Sequence, residues 1–215
     1  MIASWGIGLV SLRQGDLPRA FPWLERAIGI CQDADLPVVF PGIAATLGAA
    51  YTLAGRVADA VSLPTRALGQ SVATGTVADQ ALCRLSLREA QLLAGRLEEA
   101  HTLAEHTLAL TREHEERGSQ AYALRLLGDI VARRKPPERV QAEAHYQQAC
   151  ALANELGMRP LQAHCQHGLG TLYAQTGQRE QARAALSAAI ALYRAMDMTF
   201  WWPQAEAVLA TVGEA

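Results

Sequence analysis

Four glycines set a rhythm in this chain. Gly15, Gly55, Gly95 and Gly177 each close an apolar stretch, and an alanine follows each by five residues (Ala20, Ala60, Ala100, Ala182). The intervals are 40, 40 and 82 residues, the last being two repeats with a short insertion. A fixed period of this length marks supersecondary units that each bury an apolar face against the next. Half of the residues are apolar and only 6% are aromatic. Such a composition suits helices packed closely through small residues.

Each unit reads as two antiparallel helices. In the first helix a small residue precedes an aromatic by three positions, as in Gly48 and Tyr51 or Gly170 and Tyr173. A glycine four residues on ends that helix in a left-handed turn. The second helix carries alanines and a large apolar residue, as in Ala182, Leu186 and Ala189. Glycine at the crossing lets two helix axes approach, and the bulky residue fills the space beside it. Five units align, over residues 1–36, 37–76, 77–117, 118–158 and 159–197. The third departs at Arg88 and Gln91, so its first helix must pack differently. The fourth replaces the turn glycine by Arg133-Arg134-Lys135-Pro136-Pro137, which predicts a longer, exposed connection. A capping helix over 199–212 should present Phe200, Trp201 and Trp202 to the fifth unit. Pro22 and Pro64 fall inside second helices and should bend them. The fold expected is all-α: a right-handed α-solenoid of five helical hairpins plus a C-terminal cap, in a single domain.

This pattern resembles the tetratricopeptide repeat in its long form of about 40 residues. LGAAYTLAGRVADA and LGTLYAQTGQREQARAAL carry the resemblance, which covers nearly the whole chain. Three further stretches are similar to the C-terminal repeat region of bacterial signalling proteins that join a class III adenylate or guanylate cyclase to an AAA-type ATPase. They are LAGRLEEAHTLAEHTLALTREHEERGSQAYALRLLGDI, NELGMRPLQAHCQHGLGTLY and LYRAMDMTFW. Related regions occur in ATP-dependent regulators like the maltose activator. The resemblance implies a non-catalytic protein-interaction scaffold, either a C-terminal module or a free-standing relative. Its partner would be a protein or peptide, such as an ATPase or cyclase module of the same system. The other reading is a small-ligand-sensing regulatory domain.

The family's ligand-facing positions, carried onto this chain, give Tyr122, Arg125, Asp129 and Arg133 in the fourth unit. The fifth contributes His164, His167, Thr171 and Gln175, and Glu89 is the polar member of the third. Gly42, Ala45, Ala49, Thr52, Leu53, Leu82, Leu85, Leu92 and Leu93 make the rest of the groove apolar. Solvated residues with no ligand are the plain alternative for the polar set. The two-carboxylate clamp of chaperone-binding repeats needs Lys and Asn, but Lys135 sits in a turn and Asn154, the only asparagine, in a second helix.

Other chemistries find little support in the residues. Net charge is −2 without a basic block, which argues against nucleic acid and anionic membrane. Nothing is apolar for long enough to span a bilayer. Cys31, Cys83, Cys150 and Cys165 lie far apart inside helical patterns and read as reduced thiols of a cytoplasmic protein. His164 and His167 share a helix face, but no second ligand pair accompanies them, so no metal is expected. His101 and His106 read as surface residues. There is no GxSxG, HExxH or Walker lysine, so neither enzyme nor cofactor is expected.

Overall fold

The computed structural model of the chain describes residues 1–75, 77–135 and 137–214. Eleven α-helices and no strand occur among them: α1 (Ile2–Gln14), α2 (Leu17–Asp33), α3 (Phe40–Leu53), α4 (Val57–Thr74), α5 (Val77–Leu93), α6 (Leu97–Glu113), α7 (Arg117–Arg133), α8 (Arg139–Glu155), α9 (Arg159–Gln175), α10 (Arg179–Ala195) and α11 (Trp202–Glu214). The chain divides into two compact units, Met1–Ser119 and Gln120–Ala215. In the first, α1 packs on α2, α2 on α3, α3 on α4 and α5, α4 on α5, and α5 on α6. In the second, α8 packs on α9, α9 on α10, and α11 on both α9 and α10. Each unit is thus a row of helical hairpins stacked in chain order.

Two alternating sets of turns produce this row. Within hairpins, Gly15, Gly55, Gly95 and Gly177 take positive φ, as their spacing predicts. Between hairpins, a second set of left-handed residues recurs at Asp35, Gly75, Glu115, Gly157 and Asp197. In both sets, wherever the next residue is described, its amide reaches back to a carbonyl five positions earlier, for example Asp16 to Ser11 and Glu116 to Thr111. This closure satisfies carbonyls that a helix end would otherwise leave bare. It also fixes the ends of α6 and α8 at Glu113 and Glu155.

Small residues of the first helices receive large ones of the second. A Cβ at Gly8 would lie 2.6 Å from Leu24, and one at Gly170 would lie 2.5 Å from Leu186 Cγ and 3.1 Å from its backbone nitrogen. Gly48 meets Pro64 in the same register, and Gly128 meets Tyr146. Pro22 and Pro64 lie inside α2 and α4, which continue as helices past them. In the fourth hairpin α7 stops at Arg133 and α8 starts at Arg139, with Lys135 and Pro137 exposed; Pro136 lies outside the described residues.

The capping element needs a correction. Its helix starts at Trp202, so Phe200 and Trp201 sit in the preceding turn and only Trp202 belongs to the first helical turn. The Asp197 turn carries the chain from α10 and buries Met198 before α11 begins. Ala205 and Val212 complete the seal, with Trp201, Trp202, Val208 and Leu209 packed at its edge.

Candidate functional site

The polar positions of α7 and α9 in the second unit meet tyrosines from α8 and α10. Arg125 and Asp129, one turn apart on α7, form an ion pair at 2.7 Å, with side chains only 16% and 19% exposed. The other carboxylate oxygen of Asp129 accepts a 2.6 Å hydrogen bond from the hydroxyl of Tyr146 on α8. That ring lies between two glycines, since a Cβ at either Gly128 or Gly168 would run into it. Tyr146 is therefore fixed at both ends: its ring by the glycines of α7 and α9, its hydroxyl by Asp129. Burial, and then the Asp129 carboxylate, push its phenol well above the ordinary value.

A second tyrosine gathers the histidines. Tyr193, fully buried on α10, places its hydroxyl 2.8 Å from His164 Nδ1 and 3.4 Å from His167 Nδ1. The hydroxyl can donate to one ring and accept from the other, which uses both of its capacities. The His164 ring also stands edge-on to Trp201, with centroids 4.7 Å apart. Burial holds His167 below the usual imidazole value, and the nearby Asp129 carboxylate opposes that shift. Cys165, between the two histidines in sequence, is buried with its thiol pushed up to about 12 by desolvation. It is an unreactive core residue. Arg125 and Asp129 act electrostatically on both Cys165 and Tyr193, so the ion pair and the histidines belong to one neighbourhood.

The remaining candidates lie at the edge of this cluster or outside it. Arg133 and Gln175, at the C-terminal ends of α7 and α9, are exposed. Tyr122 is half-buried, and the Thr171 hydroxyl donates back to the carbonyl of His167. Glu89 is half-buried on α5, in the other unit. Gly42 and Ala45, expected along the groove, are buried in the first unit's packing, whereas Leu82 and Leu93 are exposed. His101 is also more enclosed than expected, its side chain 14% exposed and 3.6 Å from Glu105.

Arg125, Asp129 and His167 are tied into contacts within the unit and do not stand free in solvent. They have structural roles, and removing Asp129 would strip the Tyr146 hydroxyl of its acceptor. Tyr146 and Tyr193 are the residues that the sequence reading missed. A signal did exist: a large buried tyrosine needs a partner for its hydroxyl, and both stand on second helices beside histidine- and aspartate-bearing first helices.

Among the described residues no group of three or more His, Cys, Asp or Glu is placed to hold a metal ion. No described helix is long and apolar enough to cross a membrane. Two open hollows occur elsewhere. One, of about 240 Å³, runs along α1 and the start of α2. The other, of about 430 Å³, lies between α8, α9 and α10 and is lined by Gln147, Asn154, Gln162 and Gln166 above Leu169 and Leu192.

No family model matches the chain, and no curated protein does. Among solved structures it is similar to BtubC (BKLC) from P. vanneervenii, with a TM-score of 0.62 over 95% of this chain and 89% of that one. At 16% identity the likeness is one of fold. The shared architecture is an all-helical array of the repeat type.

Proposed function

We propose that this chain is a non-catalytic protein-interaction scaffold, holding a polar stretch of a partner along the α7 and α9 face of its second unit. The observation that carries this reading is the contrast along those two helices. Arg125, Asp129, His164 and His167 are locked by Tyr146 and Tyr193, while Arg133 and Gln175 project from the ends of the same helices into solvent. A rigid polar floor with two exposed donors at its margin suits carboxylates and backbone carbonyls of a bound segment, because little side-chain freedom is lost on binding. The sequence resemblance supports an ATPase or cyclase module of a bacterial signalling system as that partner. A small-ligand sensor would need an enclosed pocket at the cluster.

The test uses the exposed pair, so that folding is left intact. Calorimetry would compare the parent protein with an Arg133→Ala/Gln175→Ala variant, titrated with the ATPase or cyclase module encoded beside it. Binding weakened roughly tenfold at an unchanged melting temperature is the expected result. Equal affinity in both proteins, or no binding by either, overturns the proposal.

A further inference from the structure

We infer that the hollow between α8, α9 and α10 is a second binding site, built to take an arginine side chain of a bound polypeptide. Three helices line it: α8 supplies Gln147 and Asn154, α9 supplies Gln162, Gln166 and Leu169, and α10 supplies Leu192. Its volume of about 430 Å³ is within the range of specific ligand sites. On α9 the hollow-lining positions fall opposite His164, His167 and Thr171, because a helix turns 100° per residue. The hollow is therefore separate from the polar face proposed above.

The way its amides are turned sets the chemistry of the hollow. Gln162 donates from Nε2 to the carbonyl of Ala153 at 3.2 Å and to Asn154 Oδ1 at 3.4 Å. Gln147 donates from Nε2 to the Glu143 carboxylate at 3.0 Å. A main-chain carbonyl and a carboxylate can only accept, so the nitrogen end of each amide must face them. Gln166 likewise turns its nitrogen to Cys150 Sγ, at 3.4 Å. Each glutamine commits its nitrogen to the protein and keeps its oxygen for the hollow. The Glu143 carboxylate also accepts a 2.7 Å hydrogen bond from Tyr173, which holds it behind Gln147. A carboxylate at the nitrogen end of an amide polarises it, making the amide oxygen a stronger acceptor.

Three acceptors over an apolar floor select a ligand that only donates. The main chain of a peptide brings a carbonyl with every N–H, a poor match for three oxygens. A guanidinium has five N–H donors and no acceptor. Its donors spread over a planar fork, which suits oxygens held on two helices, α8 and α9, whereas an ammonium gathers three donors on one strongly hydrated atom. The aliphatic stem of arginine would cover Leu169 and Leu192. Among the described residues that line the hollow none is cationic. Nothing there repels a guanidinium, and nothing receives the α-carboxylate of a free amino acid. The hollow is open, so the chain that carries the arginine can run outside it.

The probe is a blocked pentapeptide of four alanines around one arginine, followed by NMR. It should shift the side-chain amide signals of Gln147, Gln162 and Gln166, with a dissociation constant of about 1 mM. Citrulline in place of the arginine keeps the shape but exchanges a donor end for a carbonyl and removes the charge. It should bind at least about tenfold more weakly, and a lysine peptide at least about threefold more weakly. Gln166→Met should weaken the arginine peptide roughly tenfold. Ala188 stands exposed at the rim, so Ala188→Phe should block the hollow at an unchanged melting temperature, whatever Gln166→Met does to α9. The Arg133→Ala/Gln175→Ala variant should bind the pentapeptide as the parent does, which separates this site from the polar face. No shift at about 10 mM arginine peptide, equal binding of the citrulline or lysine peptide, binding of free L-arginine but not of the peptide, undiminished binding by Ala188→Phe, or lost binding by Arg133→Ala/Gln175→Ala overturns the inference.

Discussion

Arg88 and Ala104 exchange the sizes that the other hairpins assign to these two places. Glycine on the first helix faces Leu24, Pro64, Tyr146 or Leu186 on the second in four of the hairpins. In the third, a fully buried Arg88 stands in the glycine position and reaches over Ala104, donating from Nη1 to its carbonyl at 3.4 Å. The volume between α5 and α6 is filled from the opposite side. This explains why the sequence pattern lapses at Arg88 while the fold does not. Ala104→Leu alone should overfill the site and cost about 1–3 kcal/mol. Arg88→Gly alone should leave a cavity and a mid-helix glycine, costing about 3–5 kcal/mol. Together they recreate the Gly/Leu pair of the first and fifth hairpins. The double variant should therefore be more stable than the sum of the single losses implies, by at least about 1 kcal/mol. Urea titration of all four proteins checks this, and strict additivity would show that the two residues do not share one space.

Helix by helix, α9 is the most informative element, because its two faces do different things. His164, His167 and Thr171 lie on the side of the Tyr193 network, and Gln162, Gln166 and Leu169 face the hollow beside α8. The buried side carries a pH dependence with a definite sign. Burial lowers the pKa of His167 from 6.5, so in the window just below that value the native protein binds fewer protons than the unfolded chain. Its contribution to stability is complete above 6.5 and is lost as pH falls toward the depressed native value. One proton limits the effect to about 1.4 kcal/mol per pH unit. Thermal melts across this window should fall more steeply for the parent protein than for His167→Gln, and parallel curves would show that His167 is not the group responsible. That α9 exists, and where it stops, was legible from Gly170, Tyr173 and Gly177. The helix-to-helix partners were less so. The inter-hairpin turns at Asp35, Glu115 and Asp197 were hidden because they use residues with side chains in a conformation that usually selects glycine. Asp35 and Glu115 each stand 40 residues from Gly75, and Asp197 stands 40 from Gly157, which was the available signal. The Tyr146 and Tyr193 contacts were hidden for another reason: a periodic pattern says which face is buried but not which hydroxyl meets which carboxylate or imidazole.

At the scale of the whole molecule, the first and last hairpins differ. The N-terminal hairpin leaves an apolar line of α1 in solvent, whereas the C-terminal hairpin is sealed. The seal is more than α11. Met198 is buried by the Asp197 turn, Trp201 stands against His164, and Arg194 of α10 bonds Glu206 of α11. These contacts join the cap to the polar cluster, so its loss should be felt at both the core and the site. Deleting residues from Thr199 onward would expose Tyr193 and Ile190 along with the apolar side of α9, because an array's terminal unit needs a covered outer face. Against the full chain, the truncated protein should melt several degrees lower, as expected for a loss of about 1 kcal/mol or more. It should also form large aggregates in sedimentation velocity at concentrations where the full chain stays small. The site should register the same change, since removing Trp201 takes away the ring that stands edge-on to His164; the NMR signals of the His164 and His167 rings should shift. A truncated chain with the parent's melting temperature, sedimentation and imidazole signals would show that α11 and its turn are an appendage. The second unit would then close on Tyr193 by itself, and the Trp201 contact could have no part in ordering the polar face.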